Sequence, residues 1–154
     1  MILDSRSPIT IFSIVILVIL LVGVWVIGHS ISETERKNET LQLNEEKWAA
    51  NKPLLYSYKV SSGCMWVNSY KIEKTESGLL SMPIDKSPIV APISVKDLFA
   101  EARKANLTSH KVTVQYHPYF GFPTLIDVDW EKEVIDDECF VKVSEFEVLD
   151  RNET

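Results

Sequence analysis

The fold is decided by the stretch Lys111–Asp129, KVTVQYHPYFGFPTLIDVD, which predicts a strand, a tight corner and a second strand. Apolar and polar side chains alternate in its first part, which is the period of a half-buried strand. Pro118 and Pro123 bracket the corner. Because proline has no N–H to donate to a sheet ladder, the two prolines favour an interruption of the strand here. The alternation resumes after Pro123 and places Asp127 and Asp129 on one face of the second strand.

The corner carries three aromatic side chains, Tyr119, Phe120 and Phe122, around Gly121. The tight turn predicts a positive φ at Gly121, a conformation that residues with a Cβ adopt only with strain. The aromatic residues either fold back onto the core or form a contact patch at a loop tip. Both interpretations stay open at the level of the sequence.

The segments around this stretch predict further strands and a helix. Ser94 and Asp97 form a capping-box pattern, and apolar residues follow at helical spacing. Gly78 provides a turn between two alternating segments. Because the connections are short, antiparallel pairing is favoured. We therefore expect an α+β fold, with an N-terminal transmembrane helix followed by an antiparallel β-sheet domain with two helices in the order α-βββ-α-βββ.

The run from Ile9 to Ile27 contains no charged residue and is long enough to cross the hydrocarbon core of a bilayer. It predicts an uncleaved, single-pass anchor in the inner membrane, and a cleaved signal peptide is the alternative. Charge alone does not set the orientation, because Arg6 on one side is nearly balanced by Arg36 and Lys37 on the other. We expect the C-terminal domain to lie outside the cytosol.

The predicted organisation has four parts. Residues 1–28 form a tail and the transmembrane anchor, and residues 29–44 form a membrane-proximal helical linker. Residues 45–149 form the α+β domain, and residues 150–154 form a C-terminal tail.

The chain has 154 residues and a net charge of −6. A protein that binds nucleic acid needs a basic surface, so this balance argues against a nucleic-acid partner. The sequence carries no signature of a catalytic triad. We expect no enzymatic activity, no cofactor and no metal.

Several short motifs occur together along the second part of the chain. They are Trp48, Tyr56-x-Tyr58-x-Val60, Cys64-x-Trp66, Ser94-Val95-Lys96-Asp97-Leu98-Phe99, Val112-x-Val114-x-Tyr116, Phe120-Gly121-Phe122-Pro123, Ile126-Asp127-x-Asp129, Asp136-Asp137-Glu138 and Val143-Ser144-x-Phe146. In this combination the chain resembles the bacterial domain-of-unknown-function family 6174, whose members often look like secreted lipoproteins. Such proteins often show a second cysteine where this chain has Trp66. The resemblance implies an envelope location and no assigned activity.

Cys64 and Cys139 are the only cysteines. In a domain outside the cytosol an intramolecular disulfide is their expected state. The bridge would tie the end of the first strand to the start of the last strand. The alternative is two unrelated buried thiols, since two cysteines alone do not make a structural zinc site.

A group of acidic residues provides the candidates for a charged site. They are Asp127, Asp129, Asp136, Asp137 and Glu138. Their oxygen atoms suit calcium, and a carboxylate pair suits acid–base chemistry. Because the spacing matches no calcium loop, a solvated strand face and turn is the favoured interpretation.

These features predict a membrane-anchored extracytoplasmic domain that serves as a non-enzymatic binding or accessory module of the bacterial cell envelope. Its partner would be a protein or another envelope component. The alternative is a calcium-binding or hydrolytic envelope protein that uses the acidic cluster between Asp127 and Glu138. A purely structural accessory protein that binds no small ligand is a third hypothesis.

Overall fold

The computed structural model describes residues 8–84, 87–88, 91–134 and 138–149. The elements in chain order are α1 (Pro8–Asn51), β1 (Tyr56–Gly63), β2 (Val67–Thr75), β3 (Gly78–Ile84), α2 (Val95–Thr108), β4 (Lys111–Tyr116), β5 (Pro123–Asp129) and β6 (Cys139–Val148). The chain divides into two compact units, of which the first ends at Lys37 and the second begins at Asn38. In the first unit the large apolar side chains from Ile11 to Val26 are exposed.

The predicted transmembrane helix is wrong. No helix in the described part of the chain combines the length and the apolar character that crossing a bilayer requires. The uncharged run begins α1, but the same helix continues through Glu33, Arg36 and Lys37 to Asn51. The predicted single-pass anchor in the inner membrane is therefore wrong as well. The predicted fold class is also wrong at its N-terminal part. It expected a transmembrane helix followed by a separate helix, whereas the structure has one continuous helix, α1.

The second unit is built on a six-stranded antiparallel sheet with the strand order β3-β2-β1-β6-β5-β4. Each half of the sheet consists of strands that follow one another along the chain, and α2 connects the two halves. The first and last strands, β1 and β6, pair in the middle. The centre of the sheet therefore joins residues that are far apart in the sequence.

One face of the sheet, the core face, carries the hydrophobic core, and the other is the open face. On β1, Tyr58 and Val60 are buried, whereas Lys59 between them is partly exposed, as the alternation of a strand requires. Leu41 of α1 and Leu98 of α2 belong to the same buried cluster, so both helices contribute to this core. The buried apolar residues are Leu41, Tyr56, Tyr58, Val60, Tyr70, Ile72, Val95, Leu98, Phe99, Ala102, Ala105, Phe122, Ile126, Val128 and Val143.

Helix α2 begins at the capping box that the sequence predicts. The Ser94 hydroxyl accepts a hydrogen bond from the backbone N–H of Asp97, and the Asp97 carboxylate accepts one from the backbone N–H of Ser94 at 2.8 Å. These bonds satisfy donors at the helix start that lack a partner within the helix. Val95, Leu98 and Phe99 form an apolar stripe on α2, and this stripe is buried in the core.

A β-bulge in β6 sets the direction of Phe146. Ser57 pairs with Glu147 and Lys59 pairs with Ser144, so two residues of β6 stand opposite Tyr58. Glu145 takes a φ of 53° at this point. The extra residue reverses the alternation, so that Phe146 packs against the core and Glu145 is exposed.

Candidate functional site

Among the described residues of the second unit, a group of highly exposed apolar side chains lies at the turn between β1 and β2. The turn runs from Gly63 to Val67, which pair with each other at the end of the two strands. Met65, Trp66 and Val67 are exposed to 77%, 82% and 59%. A glycine is required at position 63, because a Cβ there would overlap the carbonyl oxygen of Trp66. The turn thus presents apolar side chains on a backbone with little freedom.

A disulfide fixes this turn to the rest of the sheet. Cys64 is bonded to Cys139, which is the first residue of β6, and the Cα atoms are 4.0 Å apart. The predicted disulfide is therefore confirmed. The bond spans 75 residues of sequence and joins the tip of the β1–β2 hairpin to the start of the last strand, β6.

An open depression of about 420 Å³ lies beside the disulfide. It is lined by Cys64, Met65, Asp127, Glu138, Cys139 and Phe140. We use the name hairpin-tip surface for the apolar residues Met65, Trp66, Val67 and Phe140 together with the carboxylates Asp127 and Glu138. This surface combines an exposed apolar centre with acidic groups at one side.

The acidic candidates from the sequence are only partly brought together. Asp127 and Glu138 line the same depression, whereas Asp129 pairs across the strands with Lys111. Asp136 and Asp137 lie outside the described residues. Within residues 8–84, 87–88, 91–134 and 138–149, no group of three or more metal-ligating side chains is present. The structure therefore adds no support for a calcium site.

The aromatic corner divides between surface and core. Tyr119 is 64% exposed, Phe120 is half-buried and Phe122 is 1% exposed. The Phe122 ring lies edge-on to the Trp48 ring of α1 at a centroid distance of 5.5 Å and contacts Phe146 at 4.7 Å. Only Tyr119 fully presents its ring to the surface at this corner, so a contact patch there would be small.

Hydrogen bonds centred on His117 hold the corner. Its Nδ1 atom accepts from the backbone N–H groups of Tyr119 at 3.2 Å and Phe120 at 3.1 Å. Its carbonyl oxygen accepts from the N–H of Gly121 at 2.9 Å. Burial and, to a smaller extent, the nearby Lys47 charge lower the pKa of His117 below its usual value. The neutral imidazole is thus the form that this corner stabilises.

Burial raises the phenol pKa of two tyrosines, the buried Tyr58 and the half-buried Tyr116. The Tyr58 hydroxyl donates a hydrogen bond to the carbonyl oxygen of Ile93, and burial raises the pKa of this phenol strongly. Burial also raises the pKa of Tyr116 to about 12. Both phenols therefore stay protonated near neutral pH, where neither can act as a base.

The fold and this surface define a disulfide-bonded α+β domain, in which helices cover one face of a six-stranded antiparallel sheet. The model of a family of unknown function, DUF6174, matches residues 40–148. The chain belongs to this family, as the sequence motifs indicate. No curated protein and no solved structure matches the chain.

The sequence draws attention to Trp66 only as a departure from the motif pattern, and to Met65 and Val67 not at all. A signal is present, however. Three apolar residues follow Gly63-Cys64 directly, at a hairpin turn where polar residues are the norm. Such a run at a turn indicates a surface that is apolar for a purpose other than core formation.

Proposed function

We propose that this protein is a non-enzymatic binding module whose hairpin-tip surface docks on a protein partner. The observation that carries the proposal is the exposure of Trp66 and Met65 at a turn fixed by the Cys64–Cys139 disulfide. Large apolar side chains that project together from a folded domain mark sites of interaction.

The types of side chain at the tip fit a protein interface. Tryptophan is among the residues most enriched at the energetic centres of interfaces. Methionine is flexible and adapts to irregular apolar pockets. Burying either side chain completely would contribute about 1.5–3 kcal/mol. The two together supply a compact anchor for a partner with an apolar pocket.

The rigidity of the tip supports the same proposal. Binding is weakened when flexible groups must be ordered in the complex, and a crosslink reduces this entropic cost. Gly63 and the disulfide fix the turn before any partner arrives. The apolar side chains therefore need little rearrangement on docking.

The carboxylates at the side of the tip favour a basic partner. Asp127 and Glu138 are exposed beside the apolar residues, and the whole chain has a net charge of −6. Opposite charges across an interface accelerate association and exclude wrong partners. We therefore expect basic groups around the apolar pocket of the partner.

The disulfide supports an oxidising compartment as the place of action. For a bacterial protein of the lipoprotein-like kind that the sequence resembles, this compartment is the cell envelope. That setting is part of the proposal.

Site-specific photo-crosslinking in intact source cells tests the proposal. A photoreactive phenylalanine derivative replaces Trp66 in one variant and Leu54 in the control. Leu54 is also highly exposed, at 77%, but it lies at the opposite end of β1. We expect a discrete protein adduct from position 66 and none from position 54.

The crosslinked protein is then purified and its affinity is measured directly. Trp66→Ala should weaken binding at least about tenfold, the range expected for an interface anchor. Leu54→Ala should leave the affinity unchanged. Equal affinities for wild type and Trp66→Ala, or no adduct at position 66, would overturn the proposal.

A further inference from the structure

The centre of the open face carries lysines and serines in neighbouring rows. In the pairing of β1 with β2, Lys59 stands directly opposite Lys71 and Ser61 stands opposite Ser69. All four residues have the parity opposite to the buried Val60, so they lie on the open face.

Strand β6 extends this group on the other side of β1. Lys142 stands opposite Ser61, and Ser144 stands opposite Lys59. We use the name lysine–serine patch for Lys59, Lys71, Lys142, Ser61, Ser69 and Ser144. The patch occupies three adjacent inner strands, β2, β1 and β6, where the positions of the residues are fixed by pairing on both sides.

Like charges directly opposite each other on a sheet face destabilise it. Lys59 has one acidic neighbour, since its ammonium group lies 3.7 Å from a carboxylate oxygen of Glu145. In the described part of the chain, Lys71 and Lys142 take part in no ion pair. The acidic residues Glu73 and Glu147 stand in the adjacent row, opposite Ser57. Carboxylates therefore border the patch, but none stands directly opposite Lys71 or Lys142 in the strand pairing.

The serines add hydrogen-bond donors between these charges. The hydroxyl oxygens of Ser61 and Ser69 are 2.9 Å apart, so one hydroxyl donates to the other. The accepting hydroxyl keeps its own proton for a further partner. A ligand on the patch would thus meet a hydroxyl donor as well as ammonium groups.

We propose that the lysine–serine patch binds a phosphate or sulfate group carried by a ligand. A tetrahedral oxyanion offers several acceptors at once, and its charge offsets the repulsion between Lys59 and Lys71. Lysine serves as a point charge for such groups, and the hydroxyl of Ser61 or Ser69 contributes direction. The patch borders the hairpin-tip surface, since Lys142 follows Phe140 by two residues on the same face of β6, but it consists of different residues and would stand if the proposed partner docking failed.

A titration of the purified protein with inorganic phosphate, and separately with sulfate, tests the site. The ionic strength is held constant with chloride, and the backbone amide resonances of Ser61 and Ser69 are followed by NMR. We expect saturable shifts at both residues. Lys71→Gln and Lys142→Gln should each weaken binding about fivefold, the effect of one charge contact in water.

Lys74→Gln is the matched control. It removes the same charge from the same strand, but Lys74 has the opposite parity to Lys71 and lies on the other face. Shifts that increase linearly without saturation, or an equal loss of affinity in Lys74→Gln, would overturn the proposal.

The source of the anionic group is then separated by two further ligands. Saturable binding of glycerol 3-phosphate would support a soluble ester. Binding to phosphatidylglycerol vesicles that is tighter than binding of the free anions, and that Lys71→Gln weakens, would support a lipid headgroup. Inert behaviour towards phosphate, sulfate and both of these ligands would reject the site.

Discussion

Two turns of this domain carry aromatic side chains, and they differ in how far these side chains are buried. The corner between β4 and β5 buries Phe122 against Trp48 and Phe146, whereas the tip between β1 and β2 leaves Trp66 82% exposed. Both turns contain a glycine that cannot carry a Cβ without a clash, Gly121 in one and Gly63 in the other. The difference lies in what surrounds them, since α1 covers the corner and a disulfide holds the tip.

The composition of an aromatic turn does not determine whether its side chains are buried or exposed. The corner is fastened by contacts with α1, where Lys47 donates a hydrogen bond to the carbonyl oxygen of Pro118. The tip is fastened covalently, by Cys64 and Cys139, and its apolar side chains contribute nothing to the core cluster. Side chains that are not needed for stability are available for binding.

Truncating one aromatic residue in each turn should give the largest difference in the free energy of unfolding. We expect Phe122→Ala to lower the free energy of unfolding by about 3–5 kcal/mol, because a large buried ring is lost. Trp66→Ala should change it by about 0.5 kcal/mol or less, as for an exposed side chain. Chemical denaturation of both variants measures this, and similar losses would show that the tip is part of the stabilising core.

Removal of the disulfide should have the next largest effect. Replacing Cys64 and Cys139 by serine is expected to cost about 2–4 kcal/mol, since the unfolded chain is no longer constrained by a long loop. Reduction of the wild-type protein should give the same loss and should leave the double variant unaffected. If the reductant also lowers the stability of the double variant, its effect on the wild type does not come from breaking the disulfide.

Much of the second unit could be predicted from the sequence because local chemistry decides it. The capping box at Ser94, the positive φ of 82° at Gly121 and the bridge between the two cysteines are all observed. These features depend on one residue type or on a short spacing, so few alternatives compete. Which strands pair, by contrast, follows from contacts between distant segments that no local pattern encodes.

The failures have physical causes as well. The uncharged run before Gly28 predicts a separate transmembrane helix, but α1 continues without a break into its charged part. The bulge at Glu145 cannot be read from alternation, because a bulge is an interruption of alternation. Met65 and Trp66 are exposed because no element of the described chain covers the tip. A hydrophobic run in the sequence does not show whether another part of the fold covers it.

Adding a Cβ to each of two glycines should show that the corner is held tightly. Gly121 and Gly78 both have positive φ, 82° and 146°, so alanine is strained at either position. Only at Gly121 would the Cβ lie 2.6 Å from the carbonyl oxygen of Asn44 and 3.0 Å from the Cβ of Lys47. We expect Gly121→Ala to destabilise by about 1–3 kcal/mol more than Gly78→Ala, the usual range for overpacking. Equal melting temperatures would show that α1 yields easily at the corner.

The smallest expected effect is a pH dependence that belongs to the corner and not to the tip. The pKa of His117 is lowered in the folded protein, mainly by burial and also by Lys47, so the unfolded chain binds the proton more readily. The stabilisation from neutral His117 is complete above the unfolded value of about 6.5 and is lost as the pH falls through the lower folded value.

His117→Asn provides the test of this dependence. The amide oxygen of asparagine can accept the backbone N–H bonds of Tyr119 and Phe120 in place of Nδ1, but it does not titrate. Between pH 7 and pH 5 the wild type should lose more stability than His117→Asn, as measured by denaturant unfolding at each pH. Protonation at Nδ1 removes the acceptor that fastens the corner, whereas the disulfide at the tip is insensitive to acid. Parallel pH profiles for the two proteins would mean that His117 holds the corner by shape alone.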